Sequence, residues 1–142
     1  MSQVDLDSSV GYLLKQAATA LHTAMDAVLR PLDLTVSKYS CLEVLAHRPG
    51  ISNSELARAT FVTRQSMNVM LQALVRDGLV TRPELAPTGR ILPVELTPLG
   101  RERLDAASST VAAVESRMHS TLSPADHSRL RELLRECIGA LS

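Results

Sequence analysis

Between Ile51 and Arg90 the chain reads as a short helix, a tight turn, a second helix and then a hairpin with an arginine at its tip. Few arrangements satisfy that order within forty residues. In the run ISNSELARA, Ser52 and Glu55 have the spacing of a capping box. The serine accepts from a free amide while the glutamate reaches back to the cap, so a helix is expected from about Asn53. Ala59 to Val62 interrupts the pattern, and Thr63 is placed to cap the helix TRQSMNVMLQALVRDG, which Gly78 can end. Two helices separated by three or four residues make a helix-turn-helix.

The second helix divides into two faces. Met67, Met70, Leu71, Leu74 and Val75 recur at three-and-four spacing and predict a buried stripe. Arg64, Gln65, Ser66 and Asn68 stay outside, all in the first half. Arginine can bond guanine at two points, and glutamine or asparagine can do the same for adenine, so this end suits the base edges of a major groove. A solvated helix face would carry the same polarity. The next segment favours DNA. Leu79 to Thr81 and Ile91 to Leu96 are strand-forming runs separated by Pro83, Pro87 and Gly89, a hairpin with Arg82 near its base and Arg90 near its tip. A hairpin arginine beside a helix-turn-helix has a docking site in a narrow minor groove; otherwise it is a solvated loop charge. Lys38, and Ser52, Asn53 and Thr63 at the helix starts, complete the candidate DNA contacts.

The segments LTVSKYSCLEVLA, ISNSELARATFVTRQSMNVMLQALVRDGLVTR and GRILPVELTPLG, with Leu74, Gly78, Leu79, Val80, Arg82, Leu96, Thr97 and Gly100 at fixed spacing, resemble the MarR family of bacterial transcription regulators. The resemblance spans nearly the whole chain. It departs at the wing, where the family's Asp-x-Arg is replaced by Thr88, Gly89 and Arg90, so the arginine is kept and its acidic neighbour lost. It implies a mainly α fold with a small β-hairpin wing. A single domain, 1–142, would place a dimerisation helix at 8–30, the DNA-binding lobe at 35–96 and further dimerisation helices at 97–142. The family resemblance further implies a homodimer on double-stranded DNA, with a small aromatic or phenolic effector in the cleft between dimerisation helices and lobe. Tyr12, His22, Lys38 and Tyr39 are the candidates to line that cleft.

The ends of the chain supply the means of pairing two such lobes. Val10, Leu13, Leu14, Ala17, Leu21, Ala24, Met25, Val28 and Leu29 keep helical spacing up to Pro31, and Leu130, Leu133, Leu134, Cys137, Ile138 and Leu141 do so near the other end. Ser123, Pro124 and Asp126 announce the last helix, and Thr97 with Pro98 the long one before it. Such stripes can pack within their own chain. A lobe of about sixty residues leaves part of this surface for a twofold partner, and twofold symmetry then predicts a near-palindromic operator whose half-sites lie ~34 Å apart. A chain 45% hydrophobic with one phenylalanine, two tyrosines and no tryptophan fits packed helices.

Charge argues in both directions. Fifteen basic residues balance fifteen acidic ones, yet seven bases face four acids between Ser37 and Ile91, a local surplus of three. That supports phosphate contacts with a visible salt dependence. The opening MSQVDLDSSV has no signal-peptide pattern and no run is long enough to span a membrane, so a cytoplasmic protein without a membrane partner is expected.

Catalysis and metal chemistry find no footing. His22, His47, His119 and His127 are scattered away from ligand spacing, and there is no nucleophile elbow or phosphate loop. No enzyme activity, metal or cofactor is expected. Cys41 and Cys137 both fall in apolar register, as buried free thiols do, although a cysteine-based redox sensor stays open. The other alternative is a winged-helix module that binds protein; the cluster Arg64, Gln65, Ser66 and Asn68 argues against it, because protein interfaces prefer apolar anchors.

Overall fold

Among the described residues, every α-helix begins at a residue whose hydroxyl satisfies one of its own free amides. In the computed structural model, which describes residues 2–82 and 94–142, Ser9 opens α1 (Val10–Leu29), and after a 3-10 turn at Arg30–Leu32, Thr35 opens α2 (Val36–His47). Ser52 opens α3 (Asn53–Ala59), Thr63 opens α4 (Arg64–Arg76), Thr97 opens α5 (Pro98–Met118) and Ser123 opens α6 (Pro124–Leu141). Each such cap contributes about 1 kcal/mol. Glu55 departs from the capping-box expectation: Ser52 Oγ accepts from its amide at 3.2 Å, but its carboxylate turns to Arg48 Nη2 at 3.0 Å. A full cation offers more than the cap amide.

The core lies under the helix-turn-helix. Met67, Leu71 and Leu74 of α4 are fully buried with Leu29, Cys41, Leu42, Leu56 and Leu79. Met70 packs partly against this cluster, whereas Val75, expected in the stripe, is 39% exposed. The helix turns 100° per residue, so Val75 sits at the edge of an arc already filled by Leu71 and Leu74.

The wing base is a short antiparallel ladder, β1 (Val80–Thr81) with β2 (Glu95–Leu96), pairing Val80 with Leu96 and Thr81 with Glu95. It is fastened to α5. Thr97 Oγ1 donates to the Gly78 carbonyl at 2.6 Å, and the Thr97 amide donates to the Leu79 carbonyl at 3.0 Å. Gly100 lets the helix approach this closely, since a Cβ there would stand 2.0 Å from the Leu79 carbonyl oxygen. The α4 helix, β1 and the start of α5 thus form one braced corner.

Above the lobe, α5 packs along α1 and against α2. The lower half of α1 joins the core through Met25, Val28 and Leu29. Its upper stripe does not, because Val10, Leu13 and Leu14 are exposed. No residue of α6 is buried, and Leu130, Leu133, Ile138 and Leu141 face outward. Cys137 is exposed with them, contrary to the expectation of two buried thiols; its register is apolar, but none of the described residues covers the stripe. Cys41 is buried as expected, and burial pushes its thiol up to about 12.

Candidate nucleic-acid interface

The turn between α3 and α4 is a Schellman motif. The Phe61 amide donates to the Arg58 carbonyl at 3.2 Å and the Val62 amide to the Ala57 carbonyl at 3.0 Å, closing the end of α3. Thr60, the buried polar residue here, satisfies its hydroxyl on the Leu56 carbonyl at 2.8 Å. Thr63 then starts α4, and its Oγ1 accepts from the Ser66 amide and donates to Ser66 Oγ, both at 3.0 Å. The Ser66 hydroxyl is therefore partly committed to the cap.

Arg64, Gln65 and Asn68 stand exposed on the first two turns of α4. Asn68 is held from the side: Arg82 Nη2 donates to its Oδ1 at 3.1 Å. Arginine only donates, so this contact fixes which end of the amide faces the wing, and the Nδ2 donors are left toward the open side. The expected face and wing base are thus adjoining. Arg90 and its neighbours Thr88 and Gly89 lie outside the described residues.

The remaining candidates have local partners. Lys38 Nζ lies 3.5 Å from an Asp77 carboxylate oxygen, an ion pair between the start of α2 and the end of α4. Ser52 caps α3, and Asn53 is its half-buried first residue.

The four proposed effector contacts stand in separate surroundings. Tyr12 lines a shallow depression on α1 with Lys15, Gln16 and Thr19, and His22 is exposed on the same helix. Tyr39 is buried and donates its hydroxyl to Glu43 Oε2 at 2.6 Å. Burial first, and the Glu43 carboxylate second, push the phenol up to about 12. Ser108 of α5 donates to the same Glu43 oxygen at 2.7 Å, and His47 Nε2 lies 2.9 Å from Oε1. Burial works to raise the Glu43 carboxyl, but the hydrogen bonds from Tyr39, Ser108 and His47 outweigh it and hold the group below the ordinary range. Glu43 therefore ties α2 of the lobe to α5.

Sequence reasoning missed this carboxylate, whose i−4 and i+4 partners were visible but whose Ser108 contact spans 65 residues. It also missed an apolar groove of about 210 Å³ between α1 and α5, lined by Ala17, Ala20, Leu21, Ala24, Val114, Arg117 and Met118. His119 at the end of α5 and His127 on the first turns of α6 stack with ring centroids 4.0 Å apart. Among the described residues no three His, Cys, Asp or Glu side chains gather as a metal site, and no helix is long and apolar enough to cross a membrane.

A family model described as "MarR family" matches residues 32–91. The HTH-type transcriptional repressor Rv2887 of Mycobacterium tuberculosis is 36% identical over 130 residues, covering 92% of this chain and 94% of the relative. The crystal structure of Rv2887 in complex with DNA superposes with a TM-score of 0.76 at 34% identity, over 92% of this chain and 98% of that one. Its complex with salicylic acid gives 0.76 at 36% identity, over 92% and 97%.

Proposed function

The chain belongs to the MarR family of transcription regulators, and from that premise we propose that it is a homodimeric, ligand-responsive repressor of a near-palindromic operator. The observation that carries the reading is the exposed row Arg64, Gln65 and Asn68 on a helix braced from behind by a buried Met67, Leu71 and Leu74. These side chains read base edges, Arg82 orients Asn68, and Arg90 enters the flanking minor groove. Lys38, Ser52, Asn53, Thr63 and Ser66 contribute contacts around them. The lobe at 35–96 is the reader, and the helices at 8–30 and 97–142 hold two readers at the spacing of successive major grooves.

Repression follows from occupancy of the promoter. An effector that binds between the helices and the lobe favours another spacing of the two readers and so releases DNA. A small aromatic acid is supported by the salicylic acid complex of the relative and by the apolar groove with Arg117 in its lining. Tyr12, His22, Lys38 and Tyr39 are the further candidates to meet it.

The test is a fluorescence-anisotropy titration of the purified protein against its own upstream intergenic DNA and a scrambled duplex at about 0.15 M salt, where exposed charges are screened beyond ~8 Å. Preference for the upstream DNA, weakening as salt rises, is expected. Equal weak binding to this and to duplexes selected from a random library would favour the protein-binding alternative.

A further inference from the structure

Phe61 is held in the left-handed backbone region, φ 61°, at the residue that follows the cap of α3. The same motif ends α4, where the Gly78 amide donates to Val75 and the Leu79 amide to Leu74, and there the left-handed residue is glycine. It recurs after the 3-10 turn with Asp33, whose short polar side chain also tolerates this conformation. A phenylalanine does not, and its Cβ crowds the following carbonyl.

That strain is unrewarded within the chain. Phe61 is the one phenylalanine of the sequence and is 95% exposed, the highest figure among the large apolar side chains described. Glycine or asparagine would close the same motif at lower cost and without an aromatic ring in water. A strained residue that gains nothing from its own fold points to a gain made elsewhere. Its place identifies that partner, since it stands two residues before Thr63 and three before Arg64, at the entry of the reading helix. Val69, also apolar and 63% exposed, lies on the same helix next to Asn68.

We propose that Phe61 is a DNA-contact residue whose ring packs on apolar surface of the operator, a thymine 5-methyl group or deoxyribose carbons. The proposal rests on the reading of the chain as a DNA-binding regulator. It assigns the turn itself, and not only the helix, to recognition, and it predicts that stability and affinity respond in opposite senses to the same substitution.

The experiment compares wild type with Phe61→Gly and Phe61→Asn on the duplex that wild type enriches from a randomised library, in its thymine form and with every thymine replaced by deoxyuridine. Neither variant should lower the melting temperature, and both should bind at least about tenfold more weakly, the scale of burying one phenyl ring. If wild type loses affinity on the deoxyuridine duplex and the variants lose none further, the contact is the thymine methyl; if wild type is indifferent and the variants are weak on both, it is deoxyribose. Variants that bind as wild type does, or that lose affinity only because they unfold, overturn the proposal. A wild type that enriches no sequence overturns instead the reading as a regulator.

Discussion

Arg82 Nη2 donates to Asn68 Oδ1 across 3.1 Å, so a residue at the wing base fixes the orientation of an amide on the reading helix. The two side chains are fourteen residues apart and meet because β1 leaves α4 directly through the turn at Gly78. If they act as a unit on DNA, their effects should not add. Asn68→Ala and Arg82→Ala are each expected to cost about 1–2 kcal/mol of operator binding. The double variant should lose clearly less than the combined amount, by at least ~0.5 kcal/mol in a double-mutant cycle. Full additivity in anisotropy titrations would show that the pair does not reach DNA together.

On the proposed reading, Arg64 and Arg90 should separate two kinds of contact. Arg64 is exposed on the first turn of α4, the end proposed to read base edges. Arg64→Ala should therefore weaken binding and also change which duplexes are enriched from a random library. Arg90→Ala should weaken binding more evenly across sequences and reduce the slope of affinity against salt. Unchanged enrichment with Arg64→Ala would remove that residue from the reading set.

The helix-turn-helix was legible because its determinants are local. Caps, breaks and stripes lie within four residues of one another, so Ser52, Thr63 and the row Met67, Leu71, Leu74 were placed from spacing alone. Spacing could not place Glu55, which had two competing partners, nor Cys137, whose apolar register does not bring it into the core of the described residues. The need for Gly100 arises only when Leu79 arrives against the start of α5. The Glu43 contact to Ser108 is likewise invisible until α5 returns to α2. What depends on chain return was recovered at best through the family's pattern.

Glu43 makes stability depend on pH in a definite sense. Its folded carboxyl is held below the unfolded value of 4.5, so its contribution is present above that value and is lost as pH falls through the folded one. Glu43→Gln should destabilise the protein by about 1 kcal/mol at pH 7, reflecting a carboxylate that is partly open to water. The gap between wild type and variant in urea unfolding should close as pH is lowered through the folded carboxyl's range, below the ordinary 4.5. A gap that persists there would mean that the side chain acts through packing and not through its charge.

The α6 helix gives the sharpest test of the dimer, because none of its residues is buried among the described part of its own chain. With no α6 residue buried, Leu133→Asp together with Ile138→Asp should leave helix content and the lobe intact. If a second copy covers that stripe, two buried carboxylates are costly and the protein should become a monomer by light scattering. Operator affinity should then fall by about a hundredfold or more, since each reader would bind without its tethered twin. Cys137 offers an independent readout in the same preparation. Its thiol should alkylate faster in the variant than in wild type, while Cys41, whose thiol is raised to about 12 by burial, should stay unreactive in both. A variant that remains dimeric with Cys137 still protected would place the twofold contact on the exposed upper stripe of α1, at Val10, Leu13 and Leu14.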